Sequence, residues 1–304
     1  MQEASVEKAK FTKYQIFIIV VLAILQFSVV LDFMILSPLG YILMPELKID
    51  TAQFGWVVSA YAFSAFASGL LAAGFADKFD RKKLLLFFYA GFIGGTLLCG
   101  IADTYSFLLF ARVVTGLFGG VIASIVMSIV TDMFQLQVRG RVMGLIQMAF
   151  AASQVLGIPA GLFLAGRWNW HFPFIMIVVI SALLFAVLAF YLKPIDEHLK
   201  IKTDKNAFMH LLHVVSRTRY LKAFAATTLL ATGGYMLMPF GSDYAVHNLG
   251  LDEKNELPLL YLYTGVATIF VMPLAGFLSD KVGKYKVFFV GSVLSIGMLL
   301  IYCN

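Results

Sequence analysis

The chain has 304 residues, of which 61% are hydrophobic and 13% charged, and its formal net charge is +6. An average soluble domain is about 25% charged. The composition therefore excludes a water-soluble globular domain and points to a polytopic membrane protein.

Nine segments are long and apolar enough to span a bilayer, at about 14–40, 52–76, 84–102, 105–131, 140–165, 172–192, 220–244, 258–279 and 286–303. A spanning helix needs about 20 residues. The runs are continuous rather than alternating, so they read as helices and not as barrel strands. The expected fold class is an all-α membrane protein.

The first segment is too long for a cleaved signal peptide and lacks a small-residue cleavage site, so it reads as a retained helix. It carries Asp32 in "FSVVLDFMILSP". The second ends in "AGFADKFDRKK", with a dense charge cluster from Asp77 to Lys83. The fourth holds Arg112 in "LLFARVVTGLFGG", with Gly116, Gly119 and Gly120 after it, and Asp132 near its far end. The fifth opens with Arg139 and Arg141 and continues as "GLIQMAFAASQVLGIPAG". Its small residues, Gly157 and Gly161 among them, allow close helix approach, and Pro159 predicts a kink.

A polar, basic stretch at 193–222 follows the sixth segment. It reads as a linker with a short amphipathic piece near Phe208 to Val215. His210 and His213 lie there at i, i+3, and two ligands are too few for a metal site. The predicted organisation is a six-helix lobe at 1–192, a cytoplasmic linker at 193–219 and a further helical lobe at 220–304. A second charge cluster, "GFLSDKVGKYK", separates the last two segments.

Lysine and arginine set the expected orientation. With the N-terminus in the cytoplasm, 19 of them face inward, and Lys48, Arg167 and Lys254 face outward. That asymmetry follows the positive-inside rule. It also explains the basic charge without a nucleic-acid partner. Cys99 and Cys303 both fall in spans, so neither a disulfide framework nor a metal cluster is expected. No phosphate-binding G-x-x-x-x-G-K-[ST] pattern is present, which leaves ATP-driven transport without support. No nucleophile–base constellation suggests a membrane enzyme.

Asp32 lies 8 residues before position 40, and Arg112 lies 7 after position 105. Both then sit about 10–12 Å below the same surface. Opposite charges at matched depth are candidates for one site. A purely structural ion pair is the plainer alternative, but buried pairs add little net stability, whereas intramembrane charges are functional candidates by default. Gln26, Tyr61, Gln147, Gln154 and Tyr235 are the polar residues expected to line a substrate cavity. Each is equally well explained as an interhelical hydrogen bond.

The chain also repeats. Asp77 and Asp280 align, as do Arg81 and Lys284, at an offset of 203 residues. "SPLG" at 37–40 and "MPFG" at 238–241 align at 201. Parallel repeats of this kind mark one large class of transporters.

On these residues the chain resembles the major facilitator superfamily (MFS). "GFLSDKVGKYK" matches the family's loop signature through Gly276, Asp280, Gly283 and Lys284. "AGFADKFDRKK" departs from it with Ala73 and Asp80 in the glycine slots, and Asp is one of the few residues that tolerates a left-handed turn. The resemblance implies parallel six-helix repeats. It also implies a conformational latch at Asp77, Arg81, Asp280 and Lys284, and the nearby Asp132, Arg139 and Arg141 are expected to trade partners with it. "RVVTGLFGG" is similar to the motif linked to proton coupling in the family's exporters, which implies that role for Arg112 with Asp32. "GIPAG" and "RWNWHF" look closer to the drug/sugar-efflux, arabinose-efflux-like branch.

The expected function is proton-coupled efflux of a small organic molecule by alternating access, with proton-coupled uptake as the runner-up. The expected partners are a small-molecule substrate, protons and membrane lipid, with no cofactor and no enzymatic activity. The expected setting is a monomer in a bacterial inner membrane. Compared with the first repeat, the second stops about 90 residues short of a full lobe if the repeats have similar lengths. A piece of a twelve-helix carrier is therefore expected, inactive and unstable in detergent on its own, and rescued by three further helices.

Overall fold

The computed structural model describes residues 11–196, 199, 216–252 and 256–302. Among these residues the regular structure is entirely helical. The amphipathic piece expected near 208–215, with His210 and His213, lies outside the described residues, as does most of the linker.

Polar caps start several helices where the apolar runs begin. α1 (Lys13–Ile35) opens at Thr12, whose hydroxyl accepts from the Gln15 amide while the Gln15 side chain reaches back. This reciprocal arrangement satisfies two otherwise orphan amides. The same box, Asp50 with Gln53, starts α3 (Thr51–Phe75). Thr104 caps α5 (Tyr105–Met133).

The first span is shorter than expected. α1 ends at Ile35, residues 36–39 form a turn, and the chain resumes as α2 (Gly40–Leu47). Pro38 has no amide proton to donate to the preceding turn, and the helix breaks there. The repeat counterpart breaks in the same way. α9 (Thr218–Leu237) gives way to a 3₁₀ turn at Met238–Phe240 around Pro239, followed by α10 (Gly241–His247). Both spans were expected to be continuous.

The fifth expected span is α6 (Leu136–Ala152), a π-helical turn Ser153–Gly157, and α7 (Ile158–Arg167). Pro159 cannot donate to the turn before it. The ladder widens just ahead of it, and the Ile158 amide donates to the Ser153 carbonyl, five residues back. α4 (Arg81–Gly100) and α8 (Phe172–Tyr191) complete the first six spans. α11 (Glu256–Val282) and α12 (Lys284–Tyr302) coincide with the eighth and ninth. Among the described residues seven helical stretches are long and apolar enough to cross a membrane, and Glu256–Val271 and Tyr285–Ile301 are shorter apolar helices.

The two charge clusters make their turns differently. Gly283 has φ +106, a conformation open to glycine and strained for other residues. Asp80 was expected to tolerate a left-handed turn, and it does not adopt one. Its φ is −54 and ψ 128, and its carboxylate accepts from the Lys83 amide as the N-cap of α4. The departure from glycine at this slot is thus a capping solution.

α5 packs tightly against α3 and α4 through glycine. A Cβ at Gly120 would stand 2.5 Å from Ala65 Cα, and one at Gly95 would stand 2.7 Å from the Thr115 amide nitrogen. Gly116 lies against Tyr61 and Ser64 in the same manner. Gly157 and Gly161 face Leu31 and Ile35 of α1. The fully buried interior is concentrated in the first six spans. Ala245 and Leu257 are the buried apolar residues recorded beyond residue 195 among those described.

Candidate functional site

Asp32, on α1, and Arg112, on α5, are both fully buried. Arg112 Nη1 donates to Asp32 Oδ2 at 2.9 Å, and Thr96 Oγ1 of α4 donates to Asp32 Oδ1 at 3.0 Å. The Arg112 guanidinium carbon sits 4.7 Å from the centroid of the Tyr61 ring. Its Nε and Nη2 are buried with no hydrogen-bond partner among the described residues. An ion pair in so dry a place is held by the Asp32 carboxylate and carbonyl, the Thr96 hydroxyl and the Tyr61 ring. Occlusion from water favours the neutral acid and a neighbouring cation favours the carboxylate, so the two influences on Asp32 oppose each other.

Phe33 follows Asp32 in sequence and lines a cavity of about 550 Å³ with Ser37, Val58, Ser59, Tyr235 and Met238. A second cavity of about 390 Å³ shares Phe33, Tyr235 and Met238 and adds Phe150 and Gln154. Gln154 also lines a smaller space of about 130 Å³ beside Tyr261 and Thr264 of α11. Ring contacts run from the ion pair to this space. Tyr61 lies 5.3 Å from Phe33, and Phe33 lies 6.1 Å from Tyr235, centroid to centroid. Cavities of this size, apolar with a few polar groups, are the usual form of a small-molecule site.

The two proline breaks meet beside the cavity. The Ser37 hydroxyl donates to the Met238 carbonyl, and the Ser242 hydroxyl donates to the Ser37 carbonyl at 3.0 Å. The aligned motifs "SPLG" and "MPFG" are thus bonded to one another.

At the other end of α1 lies the basic cluster. Arg81 is buried and donates to Asp77 Oδ1 at 2.8 Å, Asp132 Oδ2 at 3.0 Å and the Ala76 carbonyl at 3.1 Å. Arg139 caps the end of α5 through the Phe134 and Thr131 carbonyls, at 2.9 and 2.6 Å. Arg141 lies over the Phe11 ring at 5.2 Å. Asp132 therefore pairs with the 77–83 cluster, while Arg139 and Arg141 have other partners. Asp280 and Lys284 lie at the corresponding junction of α11 and α12, and their side chains lie outside what the structure describes. Arg81→Ala should lower thermal stability by about 1.5–3 kcal/mol, the range for hydrogen bonds to charged groups. Asp77→Ala should cost less than about 1 kcal/mol, because the Asp77 side chain is 73% exposed. Thermal unfolding of the two variants side by side checks the order.

Of the residues expected in the cavity, Gln154 and Tyr235 line it. Tyr61 is buried under Arg112 instead, and Gln26 (half-buried) and Gln147 (exposed) are not among the lining residues. Sequence reasoning missed Thr96, Phe33, Ser37 and Ser242. Thr96 was findable, since it lies four residues from the end of α4, at about the depth of Asp32. Phe33 had only its place beside Asp32 to mark it among 29 phenylalanines.

Residues 22–303 match the sequence profile described as Major Facilitator Superfamily. The uncharacterized MFS-type transporter YceJ of Bacillus subtilis (strain 168) is 28% identical over 265 residues, covering 86% of this chain and 67% of that protein. Multidrug resistance protein 3 of the same organism is 33% identical over 153 residues, 50% of this chain and 30% of that protein. The solved structure of a bacterial homologue of the human lysosomal transporter Spinster, inward-facing and unoccupied, superposes with a TM-score of 0.70 at 18% identity. That match covers 90% of this chain and 64% of the homologue. The chain thus spans less than two thirds of the length of two of these three proteins.

Proposed function

Because this chain belongs to the Major Facilitator Superfamily, we propose that it works as a secondary active transporter that exports a small organic molecule against protons. The observation that carries this reading is the placement of α1. It presents Asp32 to a buried ion pair and the next residue, Phe33, to the cavity. Protonating Asp32 removes its attraction for Arg112 and frees α1 to shift, and that shift reshapes the wall formed by Phe33 and Tyr235. A ligand that favours one wall geometry thereby biases the protonation of Asp32, as linked equilibria require.

In this proposal two lobes, 1–192 and 220–304, joined by 193–219, rock about the cavity. The Ser37–Met238–Ser242 contacts close one end. The Arg81 network forms part of the latch at the other, cytoplasmic end, where the N-terminus lies. The lysine and arginine distribution supports that orientation. Export is favoured by the likeness to Multidrug resistance protein 3, and the proposed setting is a monomer in a bacterial inner membrane.

The test uses proteoliposomes with an imposed pH gradient, a panel of labelled aromatic solutes and a pH-sensitive dye. Asp32→Asn should keep solute binding and gradient-free exchange, and its proton-driven accumulation should fall to the level seen without a gradient. Uphill transport by Asp32→Asn at the wild-type rate would sink the coupling role. Solute and proton moving in the same direction would replace export by uptake. Wild-type flux no higher than that of empty liposomes would instead favour a transport-inactive form.

A further inference from the structure

We infer that the cavity takes an uncharged aromatic molecule carrying a single hydrogen-bonding group, which Gln154 receives. The inference rests on the transport reading only in calling that molecule a substrate.

The lining is short of charge. Among the described residues no Asp, Glu, Lys, Arg or His lines the spaces of about 550, 390 and 130 Å³. Behind Phe33, Asp32 and Arg112 are fully buried and neutralise each other at 2.9 Å. An ion entering this space would lose hydration with no counter-charge to replace it, a heavy penalty. The ring-bearing walls are Phe33, Phe150 and Tyr235. Such rings favour an aromatic ligand laid against them, because aromatic faces and edges attract one another.

The polar element comes from the backbone. The π-helical turn Ser153–Gly157 carries Gln154 into two of the three spaces. Such turns are frequent at functional sites. Gln154 Oε1 is buried with no hydrogen-bond partner among the described residues, which is rare for a buried polar atom unless something else satisfies it. In the two spaces that Gln154 lines, the small hydroxyls are already engaged, since Ser37 donates to the Met238 carbonyl and Thr264 to the Leu260 carbonyl, while Ser59 lines the space of about 550 Å³ away from Gln154. One amide facing an apolar, ring-lined space recognises one N–H or O–H. Turned over, the same amide would receive one acceptor.

The experiment measures equilibrium binding to the wild-type chain in lipid nanodiscs, with empty nanodiscs subtracted and no gradient applied. The probes are naphthalene, 2-naphthol, 2-naphthoate and N,N,N-trimethyl-2-naphthylammonium, one ring system differing in charge and hydrogen bonding. The expected result is tightest binding for naphthol. Naphthalene should bind about 3- to 10-fold more weakly for want of the hydrogen bond, and both ions more than about 10-fold more weakly. Gln154→Leu should bring naphthol down to the level of naphthalene while naphthalene binding, which reports an intact cavity, holds. Gln154→Glu should raise the affinity of the ammonium compound. Wild-type binding of either ion as tightly as naphthol would overturn the inference. So would an unchanged naphthol-to-naphthalene ratio in Gln154→Leu, or no binding of any probe above empty nanodiscs. Failure here alongside proton-driven flux of a charged solute leaves the transport reading standing. Binding as expected without any such flux leaves the cavity assignment standing and removes the transport reading.

Discussion

Replacing Asp32 and Arg112 together, as Asp32→Leu with Arg112→Met, should leave a protein more stable than Asp32→Leu alone. The single change strips Arg112 of the only carboxylate that it contacts among the described residues and leaves a guanidinium fully buried. Breaking a buried pair in this way costs about 3–5 kcal/mol, whereas exchanging both partners for apolar side chains of similar volume is often neutral or stabilising by about 1–4 kcal/mol. The Thr96 hydroxyl then loses its acceptor, but it can bond to a carbonyl in its own helix, as Thr115 does to Ala111 at 2.8 Å. Thermal unfolding in lipid nanodiscs should therefore rank wild type and double variant close together and the single variant far below. Proton-driven flux should be absent from both variants. A double variant as unstable as the single one would mean that the pair holds the helices in place, and its functional role would lose its main support.

The pairing of Asp32 with Arg112 was legible in the sequence, because depth along a spanning helix is a one-dimensional quantity. Counting residues from a predicted end puts two side chains at one level, and few groups at that level are charged. Which face a side chain occupies is harder to read, and that is why Tyr61 and Gln154 diverged. Both were polar residues within spans, yet Tyr61 turns under Arg112 and Gln154 turns toward the cavity. The π turn Ser153–Gly157, which carries Gln154, adds a residue to the helical register, so a period of 3.6 extrapolated across it gives the wrong face beyond it.

The proline breaks were legible as a repeat and illegible as a contact. Aligning Pro38 with Pro239 showed that two halves share a motif. It did not show that the motifs touch, since parallel repeats can be placed with any part facing any other. Asp80 illustrates a further limit. Its side chain suits both a left-handed turn and an N-cap, and the choice depended on whether a helix began at residue 81.

Joining the two breaks covalently should stop transport. The Ser242 hydroxyl reaches the Ser37 carbonyl at 3.0 Å, and the Ser37 hydroxyl reaches Met238 in the same place. Ser37→Cys with Ser242→Cys should therefore oxidise readily to a disulfide, with Cys99 buried out of reach. Each native hydrogen bond contributes only about 0.5–1.5 kcal/mol, so thermal motion and ligand binding can open this end in every cycle. A disulfide cannot open on that timescale without a reductant. If alternating access requires α1 and α9 to part here, flux in the oxidised double variant should fall to that of empty liposomes and return with dithiothreitol. Binding of an uncharged aromatic probe from the opposite, basic end should persist in the cross-linked form, because the cavity itself is untouched. Full cross-linking with unimpaired flux would show that this end stays closed throughout the cycle, and the site of alternating access would have to be sought elsewhere along the α1–α9 contact.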